Sequence, residues 1–122
     1  MYEPHEVGKE GEEEATKFLE RQGYQIIQRN FSCRQGEIDI IAKDQEEYVF
    51  IEVKTRQNRH YGMPCEAVTE KKQKHIWNAT KYYLHRYRLE NQYIRFDVIE
   101  VYKKKDKFYV HLQLVLEVHF FM

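Results

Sequence analysis

Along the first part of the chain the apolar positions recur at helical spacing. From Lys9 to Gln22, Gly11, Ala15, Phe18 and Leu19 fall three and four residues apart, which predicts an amphipathic helix. Glutamates crowd its first turns, where the helix dipole favours negative charge, and Gly23 supplies a stop. The period then shortens. "YQIIQRNF", Tyr24 to Phe31, is β-branched and aromatic and predicts a strand. "EIDIIA" and "YVFIEV" follow, separated by the polar turn "KDQEE", and predict a hairpin. The second of these runs alternates, with Val49, Ile51 and Val53 on one face and Tyr48, Phe50, Glu52 and Lys54 on the other.

"QNRHYGMP" is punctuated by Gly62 and Pro64 and reads as a loop. A second helix is predicted from about Ala67 to Tyr87. Val68, Ile76, Ala79, Tyr83 and Tyr87 form its apolar stripe, with Trp77 and Leu84 beside it. "YIRFDVIEVY" predicts a strand, "KKKDK" a turn, and "FYVHLQLVLEVHFF" a final strand or two with an apolar tail. The order of helix, three strands, helix and further strands predicts an α/β domain with a mixed sheet. The 122 residues suit one domain, with a core over about 8–101 and a C-terminal strand or tail over 107–122.

Charge changes this picture locally. The formal net charge is zero, yet the first segment is acidic and the stretch from Glu66 to Arg95, which holds the second predicted helix, is basic. Lys71, Lys72, Lys74, Lys81, Arg86, Arg88 and Arg95 stand there against Glu66, Glu70 and Glu90. A basic face can bind phosphates on a neutral protein, and a solvated helix surface has the same composition. Lys72 precedes Ile76 by one turn and so lies on the inward stripe, where it either snorkels past apolar neighbours or reaches toward phosphate. Lys71 and Gln73 fall on the flanking surface. No apolar run approaches the roughly 18 residues of a membrane helix, and the acidic N-terminus is unlike a signal peptide. A cytoplasmic protein with no membrane partner is expected. Cys33 and Cys65 form no CxxC pair, and the six histidines form no zinc-ligand pattern.

Three charged residues interrupt strands that otherwise read as buried. Glu52 and Lys54 share a face of their strand, and Asp39 can lie near them if the hairpin forms. Two carboxylates in a partly covered site are costly unless neutralised, and one lysine is insufficient. A hard divalent cation, Mg²⁺ or Mn²⁺ in its place, would neutralise them and would suit phosphodiester hydrolysis. An isolated Glu-x-Lys is also a common exposed ion pair. Glu37 shares the strand of Asp39, either as an outer partner of the site or as an edge residue.

Asp39 followed by Glu52-Val53-Lys54 resembles the PD-(D/E)xK signature of restriction-endonuclease-like domains. More narrowly, "GKEGEEEA", "GEIDIIA", "VFIEVKTR", "AVTEKKQ" and "RFDVIEV" look like the YraN, or UPF0102, family of small bacterial proteins, over about Gly8 to Val101. The resemblance implies a fold like that of archaeal Holliday junction resolvases, with an α-β-β-β-α-β core and a mixed central sheet flanked by helices. It implies Asp39, Glu52 and Lys54 as the catalytic set and the backbone carbonyl of Val53 as a further metal ligand. A glutamate on the first helix would complete the site: Glu12, with Glu13 as runner-up. The proline of the signature is absent, Ile38 standing before Asp39.

The implied function is metal-dependent cleavage of DNA, branched and single-stranded forms being the candidates. Arg56, matching the family's "KTR", would contact phosphate or pair with Asp39 or Glu37. Lys71, Lys72 and Lys74 would extend the nucleic-acid surface. Asp97 is expected to form a structural ion pair, Lys72 being a candidate partner. Two alternatives share the fold: a binding module without catalysis, and a homodimer assembled through the tail "LVLEVHFF".

Overall fold

The computed structural model describes residues 4–56, 70–89, 91–105 and 107–120. Its elements follow the predicted order: α1 Pro4–Arg21, β1 Gln25–Cys33, β2 Gly36–Asp44, β3 Glu47–Arg56, α2 Glu70–Arg86, β4 Gln92–Lys104 and β5 Lys107–Phe120. The helix expected from Lys9 begins at Pro4, a residue whose fixed φ and missing N–H suit a first turn. The C-terminal segment forms one strand rather than two. The loop expected over 57–64, and the start of the second helix at 67–69, lie outside the described residues.

Both helices end in the same way, one visibly in sequence and one not. After α1, Gly23 adopts a left-handed φ of 92°. The Gly23 N–H donates to the Glu20 carbonyl and the Tyr24 N–H to the Leu19 carbonyl. This is a Schellman cap, and glycine takes the left-handed position without steric cost. After α2 the corresponding donors are Arg88 and Leu89, bonded to His85 and Leu84. Here Arg88 takes the left-handed φ of 54°, and Leu89 packs against the core. Without a glycine to mark it, this terminus carried no clear stop signal, which is why the sequence pattern ran on to Tyr87.

The five strands lie in the order β1-β2-β3-β4-β5. β1, β2 and β3 pair antiparallel, β4 runs parallel to β3 after the α2 crossover, and β5 returns antiparallel. The alternation of β3 sends its side chains to two separate clusters. Val49 and Ile51 pack with Ala15 and Leu19 of α1. Phe50 packs with Ala79, Tyr83 and Leu84 of α2. The helices therefore cover opposite faces of one mixed sheet, the α/β arrangement expected from the sequence. None of the helices among the described residues is long and apolar enough to cross a membrane.

The seat of α1 depends on Gly11. A methyl group there would overlap the hydroxyl of Thr55 on β3 and come within 3.0 Å of its Cβ. In an exposed helix interior, glycine to alanine stabilises by about 1 kcal/mol. Gly11→Ala is expected to do the reverse, costing about 1–3 kcal/mol through overpacking. Urea denaturation checks the sign; a stabilised Gly11→Ala protein would show that α1 does not approach β3 this closely.

Candidate active site

The ladder between β2 and β3 runs from Asp44↔Glu47 to Ile40↔Ile51 and stops there. β2 nevertheless continues to Gly36, paired with β1. The two strands have parted by Asp39, and its side chain bridges the gap. Asp39 Oδ2 accepts the Val53 N–H at 2.8 Å, standing where a strand carbonyl would otherwise have been. The N–H and C=O of a strand residue point to the same side, so the Val53 carbonyl opens toward the same gap.

β2 is irregular at this point. Ile38 and Ile41 belong to the α2-side cluster, whereas Ile40 and Ala42 belong to the α1 side. The two-residue period thus slips by one around Asp39. On the other flank the β1–β2 ladder skips from Arg29↔Ile40 to Phe31↔Ile38. Asn30, between them, has a left-handed φ of 54°. Both neighbours of β2 yield around one carboxylate.

A cleft of about 310 Å³ opens there, lined by Gly36, Glu37, Asp39 and Glu52 from the sheet and by Lys72, His75 and Ile76 from α2. A second cavity of about 210 Å³ lies along Asn30, Ser32, Glu37 and Asp39. α2 comes down closely over the start of β2. A Cβ at Gly36 would sit 3.1 Å from the His75 carbonyl oxygen.

Within the cleft, opposite charges meet in a small volume. Glu52 is buried, 8% exposed. Its Oε1 lies 3.3 Å from Lys54 Nζ and 2.5 Å from Lys72 Nζ. Burial raises the Asp39 pKa to about 6, helped by the Glu52 charge and opposed by the Val53 N–H. Glu12 also pushes it up, and Lys72 draws it down. Burial lowers the pKa of Lys54, the neighbouring Lys72 adds to this, and Glu52 opposes it. Burial opposes the Lys72 charge too, but contact with Glu52 and Lys54 and the field of Asp39 outweigh it, so its pKa is raised.

The fold thus brings Asp39, Glu52, Val53 and Lys54 together, and Lys72 joins them from the helix. Lys71 and Lys74 are exposed on α2 and do not line the cleft. Arg56 ends β3, and its side chain lies outside the described residues. Glu12 acts on Asp39 through its charge but is held by β1. Its Oε1 accepts Arg29 Nε at 3.2 Å and Asn30 Nδ2 at 2.9 Å. Glu13, the runner-up, pairs with Arg29 Nη1 at 2.6 Å, and that bond holds its pKa below the usual carboxylate value.

Asp97 is a structural ion pair, as expected, but its partner is Arg95 of the same strand, at 2.9 Å, and not Lys72. In the β3–β4 register Arg95 and Asp97 stand opposite Val49 and Ile51, which belong to the α1 side. Lys72 descends from α2 on the other face. A common face for Lys72 and Asp97 cannot be tested by period within one element, because they lie on different elements.

Two residues escaped the sequence reading. His75 lies one turn after Lys72, and that spacing alone would have placed it beside the cleft. Glu100 is 1% exposed and accepts the Tyr102 hydroxyl at 2.7 Å. It stands opposite Lys54 in the β3–β4 register. Its parity with Ile94 and Phe96 places it on the α2 face of a strand that is buried on both faces.

Comparison with known proteins agrees with the motifs. Residues 11–101 match the Uncharacterised protein family UPF0102. A UPF0102 protein of Clostridium perfringens is 54% identical over 95 residues, covering 78% of each chain. One from Caldicellulosiruptor saccharolyticus is 48% identical over 97 residues, 80% of this chain and 82% of that one. One from Clostridioides difficile is 47% identical over 97 residues, 80% and 85% respectively. With most of its length matched at about half identity, this chain belongs to the UPF0102 family.

Proposed function

We propose that this protein is a divalent-cation-dependent deoxyribonuclease that hydrolyses phosphodiester bonds of branched or single-stranded DNA. The reading rests on one observation: Asp39 reaches across parted strands to the Val53 N–H, beside Glu52 and Lys54. A solvated surface ion pair would need no such construction.

The donor set fits a hard cation. Two carboxylates and a main-chain carbonyl offer oxygen only. Among the described residues no three His, Cys, Asp or Glu side chains converge to hold an ion by themselves. Mg²⁺ needs only one or two carboxylates, completing its shell with water and phosphate oxygens. Asp39, Glu52 and the Val53 carbonyl would hold the ion. When bound, it polarises a phosphoryl oxygen and lowers the pKa of a water.

The chain's own groups do the rest. Lys54, its pKa lowered by burial, accepts a proton from the attacking water more readily than an exposed lysine would. Lys72 supplies positive charge from α2 to a phosphate in the cleft, and exposed Lys71 and Lys74 extend that surface.

The test is cleavage of single-stranded, duplex and branched DNA with Mg²⁺, Mn²⁺ or chelator. Lys54→Ala and Glu52→Gln are expected to lose activity by about a hundredfold or more while keeping salt-sensitive binding. Undiminished cleavage by both variants would refute the assignment. Binding without cleavage under every ion would make the protein a binding module instead.

A further inference from the structure

Two acids and two lysines meet at the inner end of the cleft before any cation enters: Asp39, Glu52, Lys54 and Lys72, with Glu37 a further carboxylate on the lining. The two lysines differ in attachment. Lys54 follows Glu52 by two residues on the same strand, and its side chain is 22% exposed. Lys72 comes from another element, its side chain is 40% exposed, and it makes the shorter contact, 2.5 Å to Glu52 Oε1. It therefore occupies the carboxylate that a cation would need, and it is the more exposed of the two lysines.

We infer that Lys72 is the resident counter-ion of Glu52, that a divalent cation displaces it, and that the displaced ammonium then binds the phosphodiester of the substrate. The inference rests on the cation site proposed above. It follows from two physical constraints. A lysine and a divalent ion at one carboxylate repel each other more strongly beside a buried group such as Glu52 than in open solvent. A cation arriving while Lys72 stays charged leaves Asp39, Glu52, Lys72 and the ion with net positive charge even when Lys54 is neutral, and an anionic phosphodiester removes much of that excess. Cation and DNA therefore bind with positive coupling, and Lys72 carries it. Without DNA the cation must compete with the lysine, so its affinity is low.

The experiment titrates Mn²⁺ into wild type, Lys72→Met and Lys72→Arg, following the free ion by its electron paramagnetic resonance signal. The titration is repeated with a fully phosphorothioate-substituted oligonucleotide, which resists hydrolysis. Circular dichroism verifies that each variant is folded, and the partial exposure of the Lys72 side chain makes both substitutions tolerable. Without oligonucleotide, Lys72→Met is expected to bind Mn²⁺ about five- to tenfold more tightly than wild type, and Lys72→Arg about as weakly as wild type. The oligonucleotide should tighten Mn²⁺ binding in wild type and distinctly less in Lys72→Met. Equal or weaker Mn²⁺ binding by Lys72→Met, or equal tightening by the oligonucleotide, would overturn the exchange and leave the nuclease reading standing. Absence of Mn²⁺ binding in every protein would overturn both.

Discussion

Asp39→Asn is expected to abolish cation-dependent cleavage, by at least about a hundredfold, and yet to stabilise the cation-free protein at pH 8 by about 2–3 kcal/mol. The first effect follows from the proposed function, in which Asp39 would be an anionic ligand of the cation. The second follows from the cost of keeping the buried carboxylate ionised. Burial and Glu52 raise the Asp39 pKa from an ordinary 3.8 to about 6. Between those values the folded protein holds a proton that the unfolded chain has lost. The stabilising contribution is thus complete below about pH 4 and disappears as pH rises through about 6. At about 1.4 kcal/mol per pH interval the full penalty approaches 3 kcal/mol, part of which the remaining exposure of the group relieves.

Asparagine carries no charge and keeps an oxygen that can accept the Val53 N–H, so it escapes the penalty without losing the bond. Urea denaturation in chelator at pH 4.5 and pH 8 checks this. The advantage of the variant should be large at pH 8 and small at pH 4.5. An advantage independent of pH, or none at pH 8, would mean that the carboxylate is not desolvated. A site that stabilises its own fold less than a neutral substitute would is the usual mark of function.

The largest loss of stability is expected from Arg95→Leu, about 3–5 kcal/mol. Arg95 is 9% exposed. Its guanidinium donates to both carboxylate oxygens of Asp97, to Asp44 and Glu47 at 3.2 and 3.3 Å, and to the Tyr24 hydroxyl. It also lies 5.6 Å from the centre of the Tyr24 ring. One cation ties β2, β3 and β4 to Tyr24, the residue before β1, at the end of the sheet away from the cleft. Burial opposes its charge, but Asp97 and Tyr24 outweigh burial and raise its pKa. Removing it leaves Asp97, 2% exposed, as a buried carboxylate facing other acids.

The double variant Arg95→Leu with Asp97→Leu should recover much of the loss, because replacing a buried pair costs far less than breaking it. Urea denaturation of both variants measures the difference. Cleavage by the folded double variant should match wild type, since the pair lies on the α1 face. Loss of cleavage without loss of stability would instead place Asp97 in the site.

Much of the architecture was legible along the chain. Periods of three to four and of two residues located both helices and the strands, and the parity of β3 correctly put Glu52 and Lys54 on the face opposite Val49 and Ile51. These are consequences of local covalent geometry, which needs no knowledge of the rest of the molecule. The end of α2 lacked a chemical marker, because the left-handed residue there is Arg88 and not glycine; the start of α1 had one in Pro4, which lies before the apolar period begins.

Composition and periodicity also sufficed to suspect the trio of Asp39, Glu52 and Lys54, because charges inside buried strands are costly wherever they occur. They could not say how Asp39 reaches its neighbours. That depends on β2 and β3 parting after Ile40, an event of strand pairing rather than of either strand's own pattern. Nor could they assign partners across elements: Lys72 to Glu52, and Glu12 to Arg29 and Asn30. Each of those pairs joins segments whose relative position is set by how the two helices seat on opposite faces of the sheet. Arg95 and Asp97 share one strand, and the register of β4 turns both toward the α1 face. Local sequence specifies which side of an element a group leaves from; long-range packing alone determines what it meets there.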